Sequence, residues 1–227
     1  MKFISIGGWC GTTTSLRANN LYNEAYPFDH IRSTFEGVIN CIEKNFDNFF
    51  PKKIELDIIK NYIYNNKSYR GKYFGFYHHD LRNSEIIDDF NRRINRFNNL
   101  LKETNNKIIF IRTISTHDYN DEIKLANSFI KAIEDKFPLL EFLLIFVIPG
   151  QDKSMFYKNI KQNTFIFTLN DKSENNNNLG TEYKPIYDYL KINNLFKVTP
   201  DDNIINIKNG NNRFVEVNGV PITRNDN

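Results

Sequence analysis

The chain has 227 residues and a mass of 26.9 kDa, with 30 basic and 27 acidic side chains and a formal net charge of +3. At this length roughly 70% of the unfolded surface can be buried, so neither disulfides nor a metal is needed to hold a core. The charges are interspersed rather than gathered into a basic stripe for nucleic acid. No apolar run approaches the ~18 residues of a membrane span, and two cysteines, Cys10 and Cys41, are too few for a secreted disulfide scaffold. The N-terminus, MKFISIGGWC, lacks the apolar stretch and small-residue cleavage site of a signal peptide, so a soluble cytoplasmic protein is expected. Asn contributes 35 residues, which reads as codon bias of an AT-rich genome and weakens any argument from Asn alone.

In chain order, residues 2–6 read as a short apolar strand closed by Gly7-Gly8, and residues 12–21 as a helix capped by Thr and Ser. Residues 33–50 predict a second helix: Ser33 and Glu36 have capping-box spacing, Phe35, Val38, Ile39, Ile42, Phe46 and Phe49 repeat at helical period, and Pro51 stops it. The Tyr- and Phe-rich stretch 52–80 fits strand, helix or loop. From Asn83 or Ser84 to Lys102 a third helix places Ile86, Ile87, Phe90, Ile94, Phe97 and Leu101 on one face. Its Arg92, Arg93 and Arg96 read as a solvated polar face.

Residues 107–113 and 141–148 are apolar on both faces, as buried strands are, and residues 120–136 between them have helical period. A strand over 164–169 and a helix over 184–195 follow an Asn-rich loop at 171–180. Doubly apolar strands separated by amphipathic helices predict a three-layer α/β domain over residues 1–198, with a mostly parallel sheet and helices on both faces. Residues 199–227 read as a hairpin or loosely packed arm, with turns at Asn209-Gly210 and Asn218-Gly219.

In an open α/β sheet, ligands sit beyond the carboxyl ends of the strands. The first such loop, Gly7 to Ser15, offers Cys10 ahead of a helix, where the positive end of the dipole favours the thiolate and nearby N–H groups can hold an oxyanion. Cys10 is equally readable as a small packed hydrophobe. The turn Tyr26-Pro27-Phe28-Asp29-His30-Ile31-Arg32 concentrates charge among aromatics, with Asp29 suited either to orienting a base or to capping a turn. His78 or His79, with Asp80 or Asp29 fixing the tautomer, suits the role of base for Cys10, and His117 is a third candidate. Arg112, just past a buried strand, suits a carboxylate, a phosphate or a developing oxyanion, or else a buried ion pair with Asp29 or Asp80. Cys41 lies within a helix and reads as structural. No metal-ligand spacing, Rossmann glycine pattern or Walker motif is present, so neither metal nor cofactor is expected.

The pattern Ile4-Ser-Ile-Gly-Gly-Trp-Cys-Gly11, then Leu16-Arg17, then Tyr26-Pro-Phe-Asp-His-Ile-Arg32 resembles a family of otherwise uncharacterised proteins from large DNA viruses and some bacteria, described as papain-like cysteine peptidases. Phe76-Tyr-His-His-Asp80 and Ile108-Ile-Phe-Ile-Arg112 resemble its later elements, so the likeness covers roughly residues 1–150. His30 stands where the family commonly has Trp. The resemblance implies a Cys10 nucleophile, a His78 or His79 partner and a viral, host-cytoplasmic setting. It also implies a papain-like α+β fold, with the Cys on a helix and the His on an antiparallel sheet, as the alternative to the parallel α/β reading.

The expected activity is acyl transfer on a peptide, isopeptide, amide or ester. Cys10 attacks, His79 or His78 shuttles the proton and Asp29 orients it. Gly8, Trp9, Gly11, His30 and Arg112 surround the substrate, which is a protein or a small molecule. The rival readings are an α/β protein that binds or modifies a small polar or glycan ligand with Cys10 structural, and a non-catalytic interaction module.

Overall fold

The computed structural model describes residues 1–60, 65–103, 105–116, 118–152, 154, 157–161, 163–170, 179–193, 195–197, 216–217 and 220–221. In chain order, β1 (Lys2–Ser5) leads into α1 (Cys10–Ala18), followed by β2 (Arg32–Ser33) and α2 (Phe35–Glu43). Three strands follow, β3 (Leu56–Lys60), β4 (Asn65–Arg70) and β5 (Phe74–Phe76), then α3 (Ser84–Lys102) and β6 (Lys107–Thr113). The chain continues through α4 (Tyr119–Ile123), α5 (Ala126–Lys136), β7 (Glu141–Ile148), β8 (Tyr157–Lys161), β9 (Thr164–Thr168) and α6 (Leu179–Ile192). In the C-terminal stretch β10 (Glu216–Val217) pairs antiparallel with β11 (Val220–Pro221). The remaining tail positions, the Asn-rich segment 171–178 and His117 lie outside the described residues.

The main sheet has the order β1-β6-β7-β9-β8, with the first four strands parallel and β8 antiparallel at the edge. Its strands are apolar on both faces because both are covered. Ile108, Phe110, Phe142, Leu144 and Phe146 point into one cluster, with Phe35 and Val38 of α2, Phe97 of α3 and Phe129 of α5. Ile109, Ile111, Leu143, Ile145 and Val147 point into the other, with Leu16 of α1 and Ile186, Tyr187 and Leu190 of α6. The architecture is therefore the expected α/β one. Beside it stands a second, antiparallel sheet of order β2-β5-β4-β3, which the stretch 52–80 did not announce.

Several helix boundaries differ from the periodicity, among them those of α2, of the 120–136 stripe and of α6. Ser33 caps nothing: it lies in β2, and Thr34 caps α2 by accepting from the Gly37 N–H at 3.1 Å. That helix ends at Glu43, because Asn45 and Phe46 take left-handed φ of 52° and 67° and carry Phe46 and Phe49 across to stack around Phe28. The stripe over 120–136 is one face but two helices, α4 and α5, broken at Lys124 and Leu125. Helix α6 begins at Leu179, ahead of Pro185, which it contains. Pro there removes an internal hydrogen bond. Burial of Tyr183, Ile186, Tyr187 and Leu190 holds the helix across it.

Candidate functional site

Cys10 is the first residue of α1, at the carboxyl end of β1. The turn that puts it there requires glycine. Gly7 and Gly8 have φ of +80° and +90°, and a Cβ on Gly8 would stand 2.1 Å from the Thr113 carbonyl oxygen at the end of β6. The Gly8 N–H donates to Ser33 Oγ at 3.0 Å, tying the turn to β2. Trp9, expected near a substrate, is instead buried in the α1–α6 cluster with its indole over Gly11, where it packs the loop. Trp9 is also the N-cap of α1, with an extended backbone and no side-chain cap.

The thiol is half-buried, and that burial pushes its pKa up from the ordinary value. Arg32 pulls the other way, as do the N–H groups of Cys10 and Gly11, which turn toward the sulfur, but they do not overcome desolvation. The thiolate expected from the helix terminus is therefore not the resting form. The first-turn amides that face the sulfur are the same groups that could receive a developing oxyanion.

The buried face of α1 is lined with hydroxyls. Thr12 Oγ1 meets Thr113 Oγ1 at 2.7 Å, and that oxygen meets the Tyr183 hydroxyl at 2.7 Å. Ser15 Oγ donates to the Thr12 carbonyl at 2.7 Å and meets the Tyr187 hydroxyl at 2.6 Å. Thr13 Oγ1 donates to Asp29 at 2.9 Å. These bonds fix the helix axially and in rotation, which apolar packing alone does loosely. They escaped the sequence reading because a run of Thr and Ser at a helix start is first read as capping.

Asp29 is 1% exposed and accepts from Thr13 and from the Tyr26 N–H, the latter at 2.7 Å, with the Tyr22 phenol facing it. Burial raises its pKa to about 6, against the lowering effect of those bonds. No histidine is among these partners, so Asp29 tethers the turn 26–32 to α1 rather than orienting an imidazole. Asp80 is engaged elsewhere too, accepting from Arg82 Nη2 at 2.7 Å and from the Tyr69 hydroxyl at 2.6 Å.

Arg112 is fully buried, with every donor nitrogen engaged. Nε and Nη2 form a fork on Glu122 at 2.7 and 3.0 Å, Nη1 reaches Ser33 Oγ and the Ile6 carbonyl, and Nη2 reaches the Ser33 carbonyl and Ser115 Oγ. It has no donor left for a substrate, and its ion-pair partner is Glu122 rather than Asp29 or Asp80. Its role is to brace β1, β2 and α4 beneath the Cys10 turn.

His30, His78 and His79 lie in one another's electrostatic fields. His30 is half-buried with a left-handed φ of 57°, and burial first, then Arg17, His78 and Arg93, lower its pKa to about 4. His79 lies edge-on to Phe90 with ring centroids 4.9 Å apart, and burial first, then Arg93, His78 and His30, lower it to about 4. His78 is the most exposed of the three and is lowered by burial and by Arg32, the same residue that acts on Cys10. Arg32 also lies over the Tyr77 ring at 5.3 Å. Arg93, read from sequence as solvated, turns inward to this cluster, and Arg96 donates to the Ala25 carbonyl at 2.5 Å. Only Arg92 of the three fits a solvated face, pairing with Asp89 at 3.3 Å while exposed. Among the described residues no His, Cys, Asp and Glu gather as metal ligands, and no helix is long and apolar enough to cross a membrane.

Cys10 opens α1 at the end of the turn that follows β1, and His78 and His79 lie just past β5 of the antiparallel sheet. Residues 1–152 match the family described as "Putative papain-like cysteine peptidase (DUF1796)". The chain belongs to this family. No curated protein and no solved structure gives a match. The matched span takes in the Cys10 turn, Asp29, the three histidines and Arg112, and it stops before α6, whose Tyr183 and Tyr187 hydroxyls hold α1.

Proposed function

We propose that the chain is a cysteine-nucleophile hydrolase that works by acyl transfer on a peptide, isopeptide, amide or ester carbonyl. The observation that carries this reading is the position of Cys10 as first residue of α1, with its own N–H and that of Gly11 turned onto the sulfur and Arg32 linking it electrostatically to His78. His78 is the base in this reading. Its lowered pKa leaves it neutral near pH 7, so it can accept a proton. Because the resting thiol is protonated, the proton passes from Sγ to His78 as the Sγ–C bond forms. The carbonyl oxygen takes up the negative charge and lies against the Cys10 and Gly11 amides. The tetrahedral intermediate collapses as His78 returns the proton to the leaving nitrogen or oxygen. Water, deprotonated by His78, then attacks the thioester, and the thiol regains its proton as the acid leaves.

Incubation with an activated ester, followed by intact mass and peptide mapping, tests the reading. Cys10 is acylated and turns over in the parent protein, while Cys10→Ala retains the fold and neither acylates nor hydrolyses. Turnover persisting in Cys10→Ala sinks it. The raised thiol pKa favours a second reading, in which Cys10 is a packed thiol in a protein that binds a small polar ligand. There Cys10→Ser binds as well as the parent and no acyl-enzyme forms.

A further inference from the structure

Thr113, the last residue of β6, meets the chain on both sides of Cys10. Ahead of Cys10, its carbonyl lies so close to Gly8 that an added Cβ would stand 2.1 Å from the oxygen. Beyond Cys10, Thr113 Oγ1 meets Thr12 Oγ1 at 2.7 Å. The same hydroxyl meets that of Tyr183, on α6, at 2.7 Å. Thr12, Thr113 and Tyr183 are fully buried, so water does not compete for these bonds. Partners on two different helices pin the Thr113 side chain, and with it the end of β6 against which the Cys10 turn rests.

Tyr187 supplies the comparison. It lies one turn further along α6, is equally buried, and stacks on Tyr183 with ring centroids 5.9 Å apart. Its hydroxyl makes the same kind of bond, to Ser15 Oγ at 2.6 Å. Ser15 stands past the first turn of α1, and its hydroxyl also bonds to the Thr12 carbonyl within that helix. Tyr187 therefore holds the helix, whereas Tyr183 holds the junction of strand, turn and helix at which Cys10 sits. Both tyrosines lie outside residues 1–152, the span matched to the family.

We propose that Tyr183 is a positioning residue for the Cys10 nucleophile: through Thr113 it holds Gly8 and Thr12 in register, and so fixes where Sγ and the first-turn amides of α1 stand. That this placement serves acyl transfer rests on the proposed activity; that it sets the surroundings of the thiol does not. Removing the Tyr183 hydroxyl leaves Thr113 paired with Thr12, so the fold persists while the pin is lost. Cys10 packs against the cluster that includes Leu16, Ile186, Tyr187 and Leu190, which the change leaves whole, and Arg32 is untouched. What alters is the aim of the Cys10 and Gly11 N–H groups, which favour the thiolate.

Tyr183→Phe and Tyr187→Phe are compared in the full chain, at a temperature where both are folded. Alkylation of Cys10 by iodoacetamide against pH, with mass mapping to separate it from Cys41, reads the thiol without assuming catalysis. Tyr183→Phe should move the midpoint of the profile to higher pH, while Tyr187→Phe, with a similar loss of melting temperature, keeps the parent midpoint. With an activated ester, Tyr183→Phe should lower the maximal acylation rate about tenfold at an unchanged half-saturating concentration, the mark of a misplaced nucleophile. Thr12→Val breaks the same line of hydroxyls from its other end and should repeat the shift, and Thr12→Ser, which keeps the hydroxyl, should restore the parent profile. These two variants decide the matter if Tyr183→Phe does not fold. A midpoint shift in a protein whose parent is never acylated removes the proposed activity and leaves the positioning role standing. Equal midpoints in the Tyr183 and Tyr187 variants, or a Thr12→Val profile like the parent's, overturn the proposal.

Discussion

Glu122→Gln keeps the shape of the side chain but removes the charge on which Arg112 depends. The carboxylate accepts from Arg112 Nε at 2.7 Å, from Nη2 at 3.0 Å, and from the N–H and hydroxyl of Ser115, both at 3.1 Å. An amide can satisfy the second oxygen's bonds, but its NH₂ then faces the Arg112 Nε–H, donor against donor. Arg112 is 0% and Glu122 2% exposed, so water cannot make up the loss. Breaking a buried pair by removing one partner costs about 3–5 kcal/mol. For a chain of this size the melting temperature should fall by about 6–20 °C, measured by circular dichroism and checked by urea titration. A second effect follows from position. Arg112 holds the Ile6 carbonyl and Ser33, and Ser33 Oγ holds the Gly8 N–H, so a loosened Arg112 loosens the Cys10 turn. Iodoacetamide should alkylate Cys10 faster in the variant than in the parent at a temperature where both are folded. A loss under about 1 kcal/mol with unchanged alkylation would refute the view that this pair braces the turn.

Gly8→Ala forces a Cβ toward the Thr113 carbonyl at a φ of +90°, and should cost about 1–3 kcal/mol in thermal melts and alter Cys10 reactivity. Tyr187→Phe deletes the 2.6 Å contact to Ser15 and should cost about 1 kcal/mol, read by urea midpoint; a neutral result would mean that contact does not hold α1. Stability should have two opposed pH slopes. His30 and His79, lowered to about 4 in the fold, bind fewer protons there than when unfolded, so their contribution is full above pH 6.5 and lost as pH falls toward 4. Asp29, raised to about 6, contributes fully below pH 3.8 and loses that contribution as pH rises through 6. His79→Gln should flatten the first slope and Asp29→Asn the second, in melting temperatures taken across pH 4 to 7.5; unchanged slopes would refute the assignments.

What the sequence disclosed follows from how local each cause is. Strands β6 and β7 were legible to the residue because both faces are buried, which leaves an unbroken apolar run. Helix α3 was legible because Asn83 caps it and one stripe spans its length. The Cys10 turn was legible because glycine, thiol and strand end are adjacent. Ser33 was misread because Ser33 and Thr34 offer the same cap chemistry, and only the approach of Gly8 and Arg112 draws Ser33 out of the helix. The partner of Arg112 was hidden in Glu122, an acid on a short helix no different in pattern from its exposed neighbours. Arg93 sits among charged residues that read as a solvated face, and its inward turn over Phe90 of the same helix is toward His79, which arrives from the end of β5. The stretch around β3 to β5 has no clean alternation, so its strands were not separable from helix or loop.

The central claim is that Cys10 is a nucleophile served by His78. The direct measurement is the rate of Cys10 acylation by an activated ester against pH, with mass mapping to separate Cys10 from Cys41, in the parent and in His78→Gln. The account predicts modification at Cys10, a rate that rises as pH climbs through the lowered pKa of His78, and a fall of about 10²–10⁴-fold in His78→Gln across the neutral range. Acylation of Cys10 that is no slower in His78→Gln, and that follows only the ionisation of its own thiol, would contradict it.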